Sequence, residues 1–346
     1  MKNTYNFAII GCGAIAKLHA TTIYNIKNAK LLGVYDNFYE YALKFANDND
    51  CVAYKTLNDL LNDNNIDIVC ICTPSGLHAE LAVKVANAKK NIIIEKPMAI
   101  TDSQIKDILT AVKQNNVKCE VITQFRFIDP VIKLKEYIDS GKLGKIYHAD
   151  FKLPYYRGQD YYDKGAWRGT FDMDGGGALM NQGIHGVDVI QYLMGGIKSV
   201  YADCRTMGRN IEVEDSANVL VEYNNGAIGV IQATTLAYSG FGKTIEITAE
   251  KGCVLIKEDV IEVWDVMGEE GKFASNPTNI NAGADPMAIP YYYHKKQFED
   301  LIDAIINNRT PIVDEYQGEI PVKVILAIYK SSKENRKVYI NEDNWR

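Results

Sequence analysis

The stretch Phe7-Ala-Ile-Ile-Gly-Cys-Gly-Ala-Ile-Ala16 constrains the fold of this chain more than any other. An apolar run that predicts a buried strand over 5–10 enters a Gly-x-Gly-x-x-Ala turn and leaves as a helix. That order suits a dinucleotide pyrophosphate. Gly11 permits the tight turn, Gly13 lets backbone approach the phosphates with no Cβ in the way, and Ala16 permits close packing of helix on strand. The helix that follows offers unpaired N–H groups and its positive end to the anion, so Ala14 and Ile15 join the glycines as candidate cofactor contacts. The alternative is a plain tight turn. A second strand over 30–35 ends in Asp36, whose carboxylate can accept both hydroxyls of an adenosine ribose and would repel a 2′-phosphate. This favours NAD over NADP, while the adjacent Asn37 is compatible with either.

A chain of 346 residues suggests two domains. Its 47% hydrophobic and 24% charged content is that of an ordinary globular protein. A net charge of −6 with no long basic run argues against nucleic acid or an acidic membrane as partner. No apolar run approaches the roughly 18 residues of a membrane span, and no signal-like core opens the chain. Seven scattered cysteines form no Cys-x-x-Cys pair, which fits a reducing cytoplasm.

The first part of the chain alternates strand and helix in the βαβ manner. Ligands of a doubly wound sheet bind beyond the carboxyl ends of its strands, and Gly11, Asp36, Thr73 and Lys96 all fall at such ends. After Gln124 the pattern changes. Helices are predicted near 130–140 and 178–194. Strands are predicted over 145–153, 199–206, 217–223, 227–235, 244–249, 253–257 and 260–265. Asn225-Gly226 and Lys251-Gly252 mark tight turns, so this second sheet is expected to be mostly antiparallel. An irregular stretch over 268–289 precedes helices near 294–306 and 320–331. The expected fold is α/β: a Rossmann dinucleotide-binding domain over 1–124, then an α/β domain over 125–346 with a large open sheet. Helices can cover only one face of that sheet, which leaves the other as a subunit interface or a solvated surface.

Two segments carry candidate chemistry. Lys96 ends a strand, and Pro97 restricts it to extended geometry, so its direction is set. A lysine held in a cleft can exchange a proton with a substrate hydroxyl; a surface lysine is the alternative. In Asp174-Gly-Gly-Gly-Ala-Leu-Met-Asn-Gln-Gly-Ile-His-Gly-Val-Asp188, the glycines allow a close backbone approach. Asn181, His185 and Asp188 then share one helical stripe. His185 is the natural acid/base there, with a histidine satisfied by Asp188 as the alternative. No third strong ligand accompanies them, so no metal is expected. Tyr155, Tyr156, Tyr161 and Tyr162 precede Trp167-Arg168, a set suited to a sugar ring and a phosphate or carboxylate, or to an interface. Tyr291-Tyr292-Tyr293-His294 is a further candidate for the border of the same cleft.

Taken together, Gly-Cys-Gly-Ala-Ile-Ala, Thr73-Pro74 with His78, Glu95-Lys96-Pro97, Gln124 and Arg126, Trp167-Arg168 and the glycine–His185–Asp188 segment resemble the glucose–fructose oxidoreductase/inositol dehydrogenase family. The resemblance spans nearly the whole chain. It implies NAD(P) chemistry on sugars or cyclitols, in dimers or tetramers joined through the C-terminal sheet, with the last helix near 320–331 returning to the first domain. It implies catalytic roles for Lys96 and His185, and cofactor contacts from Thr73, Pro74, His78, Glu95, Lys96, Gln124, Trp167 and Arg168. Lys96, Arg126, Tyr156, Arg168, Asn181 and His185 would meet a sugar-like substrate. Many family dehydrogenases carry aspartate where this chain has Asn181, which can orient a hydroxyl but cannot take its proton. The Leu179–His185 segment looks most like members acting on nucleotide-linked sugars, including UDP-N-acetylglucosaminuronate 3-dehydrogenases. The same scaffold also resembles NAD-retaining glycoside hydrolases and non-catalytic dinucleotide sensors.

Overall fold

The computed structural model describes residues 3–274 and 290–340. They divide into two compact units, 3–124 with 290–319 and 125–274 with 320–340. The late segment that joins the N-terminal unit is therefore 290–319, whereas residues 320–331, expected to return there, group with the second unit. Of the irregular stretch expected over 268–289, residues 275–289 lie outside the described ones.

In the first unit, β1 (Tyr5–Ile10), α1 (Ala14–Tyr24), β2 (Ala29–Tyr35), α2 (Tyr39–Asp48), β3 (Val52–Ala53) and α3 (Leu57–Asn62) are followed by β4 (Ile68–Ile71), α4 (His78–Asn87), β5 (Asn91–Ile94), α5 (Asp102–Asn115) and β6 (Cys119–Val121). The strands run parallel in the order β3-β2-β1-β4-β5-β6. The chain therefore winds outward on both sides of a switch point between β1 and β4. Both sheet faces are covered, and the central strands are continuously apolar for that reason: Phe7, Ala8, Ile9 and Ile10 are at most 1% exposed. Cys70 and Cys72 belong to this core, where burial pushes their thiols far from the thiolate. Thr56 starts α3 through a capping box with Asp59, and the Thr101 hydroxyl accepts from the Gln104 N–H at the start of α5.

The second unit holds α6 (Asp129–Asp139), β7 (Ile146–Pro154), α7 (Gln159–Asp163), a π-helical turn (Ala178–Gly183) running into α8 (Ile184–Met194), and six further strands: β8 (Ile197–Arg205), β9 (Ser216–Tyr223), β10 (Ile228–Thr234), β11 (Thr244–Ala249), β12 (Gly252–Lys257) and β13 (Val260–Val266). Helix α9 (Tyr291–Ile306) then belongs to the first unit, where Phe298 stacks on Phe7 with ring centroids 5.7 Å apart. It starts directly after Pro290, so the three tyrosines lie inside the helix and not ahead of it.

Helix α10 (Glu315–Glu334) contains Pro321, and β14 (Val338–Tyr339) closes the second sheet. The helix extends the one expected over 320–331 by five residues at its start and three at its end. Its Ser331 and Ser332 hydroxyls accept from the Ala202 and Cys204 N–H groups of β8. The second sheet runs β13-β12-β11-β7-β10-β9-β8-β14, antiparallel except where β10 pairs with β7. Buried and exposed residues alternate along β9. Tyr201 and Leu220, cross-strand partners, stay 40% and 61% exposed on the open face.

Candidate functional site

The first unit builds its candidate site at the carboxyl ends of the parallel strands. Gly11 has φ +92°, its N–H donates to the Tyr35 carbonyl at 2.8 Å, and a Cβ there would lie 2.7 Å from the Cys72 carbonyl oxygen. The chain itself demands glycine at that position. Gly13 differs: its φ is −79° and a Cβ would meet nothing within 4 Å. Among the described residues no packing asks for glycine there, and no side chain caps the N-terminus of α1. An open, uncapped helix start with no Cβ is a cradle for an anion.

Asp36 stands beside this cradle, accepting the N–H of Cys12 at Oδ2 and of Phe38 at Oδ1, each at 2.9 Å. It remains partly exposed and Asn37 is exposed. Thr73 Oγ1 and Gln124 Oε1 are buried with no hydrogen-bond partner among the described residues. Such orphaned polar atoms are rare in a folded interior. Together with the Gly13 cradle and the Asp36 carboxylate they fit a dinucleotide. Ala14 and Ile15 open α1, the first exposed and the second half-buried, and Pro74 leads a short 3-10 turn after Thr73.

Two residues expected to line the cofactor are buried. His78 is 1% exposed and places Nδ1 2.6 Å from the Pro97 carbonyl and Nε2 2.9 Å from that of Thr73. It braces the ends of β4 and β5 against one another, with burial drawing its pKa down against those two bonds. Glu95 has Oε1 2.8 Å from His19 Nε2 and 3.6 Å from His294 Nε2. Burial pushes its carboxyl up, but the two imidazoles outweigh it and hold the group well below the usual carboxylate range. Lys96 is half-buried, and its backbone N–H donates to Glu95 Oε2 at 3.2 Å.

The second unit revises the reading of the glycine segment. At Gly177 the close backbone is the chain's own. Buried Glu214 accepts the N–H of Gly177 at 2.9 Å, that of Leu179 at 2.8 Å and the Tyr329 hydroxyl at 2.9 Å. A Cβ on Gly177 would lie 1.8 Å from the Glu214 carbonyl oxygen, so only glycine fits. Burial pushes the Glu214 carboxyl up to about 7 despite those three bonds.

The turn that begins there is π-helical, so the uniform helical winding behind the stripe of Asn181, His185 and Asp188 does not hold through it. Asn181 donates to Asp174 and accepts from Gln182 Nε2 at 2.7 Å. Asp188 faces Arg126, which donates to it through Nε at 2.8 Å and a terminal nitrogen at 2.6 Å. Arg126, expected to meet substrate, is 5% exposed and lies over the Tyr192 ring, an interior strut. His185 is 8% exposed and meets the Phe125 ring edge-on, with centroids 5.1 Å apart.

The tyrosine cluster splits. Tyr155 and Tyr162 are core residues, whereas Tyr156 and Tyr161 are partly exposed. Arg168 lies over the rings of Tyr161 at 4.6 Å and Trp167 at 5.0 Å. Its Nε is buried with no hydrogen-bond partner among the described residues. Tyr156 stacks edge-on with Tyr238. Arg157, Gln182 and Asp174 belong to the same group but escaped the sequence reading. Arg157 donates to Gln182 Oε1 at 2.8 Å, and Gln182 donates to the Tyr161 hydroxyl at 3.2 Å. Their one signal in the sequence was adjacency to Tyr156, Asn181 and the glycine run.

Residues 5–123 match the GFO/IDH/MocA oxidoreductase family model for an NAD-binding Rossmann fold, and residues 131–255 match a GFO/IDH/MocA C-terminal domain. The uncharacterized oxidoreductase YrbE of Bacillus subtilis is 30% identical over 256 residues, covering 70% of this chain and 71% of that protein. Myo-inositol 2-dehydrogenase of Thermotoga maritima is 26% identical over 354 residues, covering 96% and 98%. The crystal structure of the WlbA dehydrogenase from Bordetella pertussis, in complex with NADH and UDP-GlcNAcA, matches with a TM-score of 0.86 at 29% identity, covering 98% of this chain and 99% of that one. With an NAD-binding Rossmann domain followed by the matching C-terminal domain, the chain belongs to the GFO/IDH/MocA family of oxidoreductases.

Proposed function

We propose that this protein transfers a hydride between NAD and a secondary alcohol of a nucleotide-linked sugar, with NADP the poorer cofactor. The observation that carries the reading is the convergence of the Gly11–Gly13 turn, Asp36, Thr73 and Lys96 at the carboxyl ends of four parallel strands flanking one switch point. The substrate class rests on the likeness to the WlbA dehydrogenase, whose crystal structure holds UDP-GlcNAcA. The arginines of the tyrosine cluster suit it, since a guanidinium on an aromatic face matches a diphosphate or carboxylate.

Gly11, Gly13, Asp36, Thr73 and Gln124 hold the dinucleotide in this reading. When bound, NAD supplies the acceptor or donor of the hydride. Lys96 donates to the reacting oxygen as negative charge develops on it, and His185 takes the hydroxyl proton. Asn181 has no proton to trade at neutral pH and fixes orientation. The open sheet face with Tyr201 and Leu220 joins copies of the chain into a dimer or tetramer, and the cytoplasm is the compartment. The test is a panel of nucleotide-linked sugars, free sugars and inositols offered with NAD. Reduction of NAD coupled to a keto product from a nucleotide-linked sugar is expected. Turnover on free sugars or inositols alone would remove the substrate class.

A further inference from the structure

We infer that His19 and His294 are positioning residues for hydride transfer, acting through the Glu95 carboxylate on Lys96. The inference rests on the proposed role of Lys96 at the reacting oxygen. Three elements of the first unit assemble the group. His19 lies on α1, the helix that starts at the glycine turn; Glu95 follows β5 and precedes Lys96; His294 lies on α9. Both histidines are 0% exposed and Glu95 is 5% exposed, so the set is sealed from water. The two imidazoles meet edge to face with centroids 5.7 Å apart, and Phe298, one turn beyond His294, packs edge-on against His19 at 5.1 Å.

A carboxylate this deep is costly unless hydrogen-bonded; His19 supplies a direct hydrogen bond, and His294 faces the same oxygen at 3.6 Å. Its oxygens divide the work. Oε1 faces the histidines at 2.8 and 3.6 Å, and Oε2 accepts the Lys96 N–H at 3.2 Å. One side chain thus ties the dinucleotide-turn helix by a hydrogen bond, and meets α9 in a longer contact, at the backbone that carries Lys96. Reacting geometry is sensitive to this, since a misplacement of about 1 Å costs on the order of 10²-fold in rate.

The donor atoms of His19, Glu95 and His294 also lie within 4.8 Å of one another, close enough to hold a metal ion. The 2.8 Å contact is that of a direct hydrogen bond, and the group offers three ligands where a structural zinc takes four. The geometry points to a hydrogen-bonded His19–Glu95 pair with the His294 ring packed beside it.

The test compares E95Q and H294L with the wild type in kcat, KM, NADH affinity and thermal midpoint. It also follows the 13C resonance of reductively dimethylated Lys96, assigned with K96R. We expect kcat to fall at least ~10-fold in both variants with NADH affinity within about 2-fold. The Lys96 resonance should move to the position of freely exposed lysines. That resonance needs no turnover, so it separates failure of this inference from failure of the substrate assignment. H294L leaves the His19–Glu95 bond in place and carries the test if E95Q does not fold. Unchanged kcat and resonance in the folded variants would overturn the inference. A parallel fall of kcat, NADH affinity and thermal midpoint would do the same, as would stoichiometric zinc lost in H294L.

Discussion

Arg126 grips Asp188 through two hydrogen bonds, at 2.8 and 2.6 Å, with side chains only 2% and 1% exposed. The pair fastens the chain just after Gln124 to α8, one turn beyond His185. Both side chains are buried, and the Asp188 carboxylate faces the guanidinium.

Breaking that pair from one side leaves a buried charge without its counter-ion. R126M should cost roughly 3–5 kcal/mol of unfolding free energy in urea, whereas R126M/D188L should recover most of it. Equal losses in the single and double variants would show that the charge pair is not what matters.

Glu214 makes stability depend on pH in a definite direction. Its folded pKa of about 7 lies above the ordinary 4.5, so the folded state holds the proton more tightly than the unfolded chain. Its contribution is complete below the unfolded pKa and disappears as pH rises through the folded one. Relative to E214Q, the wild type should lose on the order of 3 kcal/mol between pH 4 and pH 8, read from urea unfolding at each pH. A flat difference would mean that Glu214 is ionised throughout.

His185→Ala should lower kcat by roughly 10²–10⁴-fold while NADH still binds, measured by steady-state kinetics and fluorescence titration. Unchanged turnover removes His185 from the chemistry.

The Asp36 carboxylate is fixed beside the glycine turn by the Cys12 and Phe38 N–H groups. D36S should raise NADPH affinity relative to NADH by about 10-fold or more, because a charge facing the 2′-phosphate is lost. An unaltered ratio would place cofactor choice elsewhere.

Much of the first unit was legible because each of its signals is local. The apolar runs of β1 and β4 and the Gly11 turn each declare themselves within a few residues. Thr101, which starts α5, does the same. The Asp174–Asp188 segment misled for the opposite reason. Its glycines answer to Glu214 and Tyr329, 37 and 152 residues beyond Gly177, and no periodicity reports such a contact. The stripe of Asn181, His185 and Asp188 assumed a uniform α-helix, and the π-helical turn removed that assumption. Glu95 and His78 carry the residue types of ligand contacts, yet tertiary partners at His19, His294 and Pro97 draw them inward.

The open sheet face makes a separate prediction. L220K introduces a charge onto an exposed apolar strand partner of Tyr201 and should shift sedimentation toward the monomer. An unchanged sedimentation coefficient would locate the interface elsewhere or show a monomeric protein.

The central claim is that the first unit binds NAD, and native followed by denaturing mass spectrometry of the purified protein tests it directly. The account predicts a non-covalent mass increment of NAD(H), present on purification or gained on adding NAD and lost on denaturation, with G13V abolishing it. A wild-type protein that takes up neither NAD nor NADP would contradict the account at its base.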